Sequence, residues 1–180
     1  PGACWCVAGE SVAMNPAVVF PLTEQAGRNV LIVGGNDAQA ASVINTVTCS
    51  TLAYAKQANK SAQVFAIQGA KPTDAKALAM TKAWQALDAD IEVVDVRRTE
   101  EIIDKVHQIV QKRTESSASF SANSDAGQDF EADGIVLLDL IQISRMRELR
   151  KDDDFGMGGF GEEALKPDKK LEEILRDGPS

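Results

Sequence analysis

A chain of 180 residues is long enough for one domain with a sizeable core, and an apolar share of 44% is ordinary for a globular protein. Its net charge of −8 argues against a broad nucleic-acid surface, because phosphate binding is driven by Lys and Arg. Three cysteines with one histidine are too few for a disulfide scaffold or an ordinary four-ligand zinc site, and no apolar run approaches the roughly 18 residues of a membrane span.

Free thiols in a reducing cytoplasm follow from that cysteine count. The chain starts at Pro1 rather than at a methionine, so a piece of a longer protein is expected. Residues 1 to 28 read as short extended pieces. Gly9-Glu10-Ser11 and Asn15-Pro16 are turns, and Val12 to Met14 and Val18 to Phe20 are strand fragments. Val30 to Val33 is apolar throughout, the pattern of a strand buried on both faces. Residues 38 to 58 lack Gly and Pro and place Val43, Ile44 and Val47 on one helical face.

Gln63 to Ile67 is the next strand, broken at Gln68 to Pro72. Ala77, Met80, Trp84 and Leu87 keep a three/four spacing, so Thr73 to Asp88 is a helix. Ile91 to Val96 is a strand. Thr99 is a fair N-cap for an amphipathic helix carrying Ile102, Ile103, Val106, Ile109 and Val110, with His107 bordering that face as a partly covered structural residue. Thr114 to Asp133 is Ser- and Asp-rich and reads as a mobile loop. Gly134 to Asp139 returns to a buried strand. A basic cluster, an acidic run (Asp152 to Asp154) and a Gly-rich turn (Gly156 to Gly161) follow it. Pro167 then opens a helix with Leu171, Ile174 and Leu175 inward, stopped by Gly178-Pro179. Strands alternating with helices make a largely parallel α/β sheet, in one domain over residues 1–180.

The stretch from Asn29 to Ser42 has the strand–loop–helix grammar of a phosphate-binding loop, without its chemistry. The pattern G-x-x-x-x-G-K-[ST] needs a second glycine, a lysine and a hydroxyl. Counted from Gly34 those places hold Gln39, Ala40 and Ala41; counted from Gly35, Ala40, Ala41 and Ser42. Ile135 to Asp139 is an apolar strand ending in aspartate, the arrangement that holds magnesium beside such a loop. The following residue is Leu140, where a water-orienting acid would stand.

In their order and spacing these pieces resemble the FtsK/HerA-like P-loop translocases. The resemblance takes in Gly9 to Phe20, Gly27 to Gly34, Val64 to Ile67 with Lys71-Pro72, His107 to Arg113, Ile135 to Asp139 and Leu171 to Ser180. It implies a P-loop NTPase-like three-layer α/β sandwich with a mostly parallel sheet, incomplete at its C-terminus. It places Gly34, Gly35, Asn36, Asp37 and Ser42 at a degenerate nucleotide turn and Asp139 on the metal side, with ATP and Mg²⁺ as the family's cofactors. Motor members form hexameric rings that pump DNA with ATP hydrolysed between subunits. The missing lysine and acid make this chain look like the degenerate domain that accompanies an active one. Its expected partners are neighbouring ATPase domains or protomers, with DNA touched only indirectly.

Magnitudes agree with that demotion. A charge-assisted hydrogen bond from the absent lysine would supply about 1.5–3 kcal/mol. Asp37 adds a like charge to the turn, worth about 4 kcal/mol against a phosphate ~4 Å away at an effective dielectric near 20. ATP hydrolysis is therefore not expected. Other classes compete. A dinucleotide-binding domain would want G-x-G-x-x-G, which is absent. Arg145, Arg147, Arg150 and Lys151 could contact DNA, although the adjacent aspartates favour a surface ion-pair patch or a protein interface. A nucleotide-free flavodoxin-like interaction domain and a weak ATP-binding module complete the alternatives. The resemblance also implies that a strand beyond Ser180 inserts between Val30–Val33 and Ile135–Asp139. These two segments should then lie about 10 Å apart, two strand spacings, or else have collapsed together.

Overall fold

The alternating strand and helix stretches close into two sheets covered by helices. The computed structural model describes residues 4–9, 16–23, 25–69, 74–87, 89–122, 134–149 and 165–179, without the side chains of 76, 77 and 116–122. Strands β1 (Cys4–Gly9) and β2 (Val18–Leu22) precede helix α1 (Asp37–Gln57). Then come β3 (Ala62–Gln68), α2 (Ala75–Gln85), β4 (Asp90–Asp95), α3 (Thr99–Ala122), β5 (Ile135–Ile141) and α4 (Pro167–Asp177). Short 3-10 turns lie at Val96–Arg98, Ile143–Arg145 and Arg147–Leu149. β1 and β2 pair antiparallel, whereas β3, β4 and β5 form a parallel sheet in the order β4-β3-β5.

β3 is central because both of its edges are paired, with β4 on one side and β5 on the other. Its alternation sorts the core into two halves. Val64 and Ala66 meet Leu52 of α1 and Met80 and Trp84 of α2. Phe65 and Ile67 meet Ile102, Ile103 and Val106 of α3 and Leu171 and Ile174 of α4. The outcome is a three-layer α/β sandwich. Side chains as enclosed as Ile67 or Ile102 contribute about 1.5–3 kcal/mol each.

The β1–β2 hairpin lies against the other side of α1. Cys4 and Cys6 alternate onto its inner face, and the Cys6 Sγ sits 3.4 Å from the Thr51 Oγ1. Burial, then the neighbouring Cys6 thiol, pushes the Cys4 thiol up to about 11, which suits a reduced, structural pair. No described helix is long and apolar enough to cross a membrane.

Several expectations need correction. Val30 to Val33 is not a buried strand: residues 28–34 join no ladder, and Leu31 and Val33 are 82% and 85% exposed. The segment is fixed at both ends by other contacts. The Gly27 N–H donates to the Arg176 carbonyl at 3.0 Å and the Asn29 Nδ2 to the Leu175 carbonyl at 2.7 Å, both at the end of α4. At the other end Asp37 accepts from the Gln142 Nε2 at 2.8 Å, just past β5. The end of α4 meets Val110 of α3, and Arg113 of α3 reaches the Gly134 carbonyl before β5 begins. The two anchors thus sit at opposite ends of the sheet. The segment therefore spans from one end of β5 to the other, and no described segment pairs with the second edge of β5.

α3 continues through Ala122, so helix covers the first part of the stretch 114–133 read as a loop; an established helix adds each further residue at little cost. Thr99 is no N-cap. It is enclosed, its hydroxyl donating to the Val96 carbonyl at 2.7 Å, while Asp95 caps the preceding turn through the Arg97 N–H. The most enclosed face of α1 is Thr48, Thr51, Leu52 and Ala55 rather than Val43, Ile44 and Val47. Leu171 and Ile174 of α4 are buried as expected, but Leu175 is exposed. Val12 to Met14, Lys71-Pro72, 123–133, Arg150, Lys151, the acidic run and the Gly-rich turn lie outside the described residues.

Candidate functional site

In open α/β sheets ligands approach the carboxyl ends of the strands, at the point where the strand order reverses. In the order β4-β3-β5 that point lies between the ends of β3 and β5, where Gln68, Gly69 and Gln142 stand beside the start of α1. The chain turns sharply here. Gln142 has a φ of 61°, a left-handed conformation that costs a non-glycine residue about 1–2 kcal/mol. Gly69 packs so tightly that a Cβ on it would lie 2.8 Å from the Gln142 Cβ and 3.1 Å from the Ile141 carbonyl oxygen. The Gly69 N–H donates to that carbonyl at 2.9 Å, and the Arg145 Nη1 donates to the Gly69 carbonyl at 2.9 Å. The ends of β3 and β5 are thereby zipped together.

The start of α1 is closed in a similar way. The Asn36 side chain accepts from the N–H groups of Ala38 and Gln39 at 3.1 and 3.2 Å, so two of the donors a phosphate would use are engaged. Asp37 puts a carboxylate on the first turn, where the helix dipole favours it, and Gln142 holds it there. Gly34 and Gly35 face open space: a Cβ on either would meet nothing within 4 Å, and neither has a positive φ. The exposed Ser42 turns its hydroxyl back to the Ala38 carbonyl at 2.9 Å.

Asp139 is not beside that turn. Its Oδ2 accepts from the Thr48 hydroxyl at 2.7 Å, and Thr48 lies six residues beyond Ser42, about 9 Å further along the helix. The residue as a whole is only half-buried because β5 is an outer strand. Its carboxyl is nonetheless enclosed, between β5 and α1, and burial pushes its pKa up to about 6 against the opposing Thr48 hydrogen bond. Gly34, Gly35, Asn36, Asp37 and Ser42 are thus gathered at one end of α1, and Asp139 is held apart from them. These side chains do not converge on a common point where a triphosphate and its magnesium would sit. Among the described residues no group of three or more His, Cys, Asp or Glu side chains could hold a metal ion.

Three residues in this arrangement escaped the sequence reading. Thr48 and Gln142 carry no motif; Gln142 could have been sought only as the first residue past an apolar strand. Glu173 pairs with the buried His107 at 2.5 Å, tying α4 to α3 beside a small cleft, and only the tertiary structure joins them. Arg145, read as part of a basic surface cluster, is exposed and also braces Gly69. No protein-family model, no curated protein and no solved structure matches this chain.

Proposed function

We propose that this chain is a non-hydrolysing FtsK/HerA-like P-loop domain, an accessory or structural module of a larger, cytoplasmic ATP-dependent DNA translocase. It works beside active ATPase domains or protomers and touches DNA only indirectly. The observation that carries the non-hydrolysing part is the closed start of α1, with Asn36 on the helix amides and Asp37 fixed by Gln142. A nucleotide's phosphates would have to displace the first and face the charge of the second. The test is calorimetric titration with magnesium-ATP together with a phosphate-release assay. No turnover and no binding, or only millimolar binding, is expected. Turnover that disappears in a folded Asp139→Ala variant would overturn the reading.

The same reading takes the sheet as lacking one strand, between β5 and the segment 29–33. Support comes from β5 itself: Ile135 to Ile141 is apolar but for Asp139, has helices over both faces, and among the described residues pairs only with β3. An edge of that kind, without lysine, proline or bulge, is a poor terminus for a sheet. In hydrogen exchange, the β5 amides that face β3 should be protected and the alternate ones should exchange freely. A longer version of the protein should protect both sets. Full protection of both sets in residues 1–180 would show that the edge is already covered.

The strand order favours a second reading. With the first of three strands central, β4-β3-β5 is also the start of a doubly wound, flavodoxin-like sheet, which suits a nucleotide-free protein-interaction domain. In that case residues 29–33 never enter the sheet, and their amides should stay exchangeable in the longer protein. In the translocase reading they become protected.

A further inference from the structure

We draw no further inference here: the strongest candidate, the unpaired edge of β5 together with the exposed apolar segment 29–33, belongs to the sheet completion already proposed, and nothing among the described residues shows what covers it.

Discussion

Two stretches of this chain have nearly the same composition and opposite fates. Gln63 to Ile67 reads Gln-Val-Phe-Ala-Ile and forms the centre of the sheet, with Val64, Ala66 and Ile67 at 0% exposure. Asn29 to Val33 reads Asn-Val-Leu-Ile-Val, is if anything more apolar, and lies outside any ladder. Both have the β-branched, uncharged character of a buried parallel strand. The difference lies in their neighbours. β3 meets a partner on each edge, so each backbone N–H and C=O along it has somewhere to go. The segment 29–33 meets no partner strand among the described residues, so its backbone lacks a ladder. Strand character is a property of a pair, and composition only makes a stretch eligible for it.

That contrast can be broken or sharpened by measurement. The largest effect is expected in β3, where Ile67→Ala should cost about 2–5 kcal/mol by urea denaturation. An equal loss for Val33→Ala would mean that the segment is a buried strand in solution and that the contrast is false.

Next comes Asp139, whose folded-state pKa of about 6 stands above the ordinary 3.8. The folded state binds this proton more tightly than the unfolded one, so stability falls as pH rises from about 4 through 6 and is lowest above it. The charged carboxylate costs about 3 kcal/mol at neutral pH. Asp139→Asn should recover a similar amount at pH 7, little at pH 3.5, and flatten the curve between. A variant that is no more stable at pH 7 would show that the carboxyl is solvated, and with it that the edge of β5 is wetter than described.

A smaller change is expected at the start of α1. Asn36→Ala removes a side chain that caps two helix amides and should cost about 1 kcal/mol. If nucleotide binding is absent only because Asn36 fills those amides, this variant should also bind inorganic phosphate more tightly than the parent; if Asp37 dominates, it should not. The smallest effect belongs to Leu31→Ala, within about 0.5 kcal/mol for so exposed a side chain. A larger loss would place Leu31 in a contact that its exposure does not show.

Much of the α/β plan was legible because it rests on local periodicity. The apolar run Val64 to Ile67, broken off at Gln68 to Pro72, marks a buried strand, and the three/four spacing in Ile102 to Val110 marks one helical face; the observed core contains both. The cap at Asn36 was foreseen only as part of a phosphate turn and β1 only as one of several extended pieces before residue 28, while the enclosed Thr48–Thr51 face and the reach of α3 to Ala122 were not foreseen. Short polar residues such as Thr and Ser fit a helix or a loop by composition, and their neighbours decide between the two.

By itself the sequence determined the alternation of strands and helices from α1 to β5 and the absence of a lysine from the glycine turn, since each depends on residues close together in the chain. Only the tertiary structure decided that Asp139 meets Thr48 instead of Ser42, that Gln142 closes over Asp37, and that Val30 to Val33 stays unpaired. Each of these joins residues from separate elements. Where such elements cross depends on how the layers pack and on which backbone edges find a partner, and no local pattern encodes either.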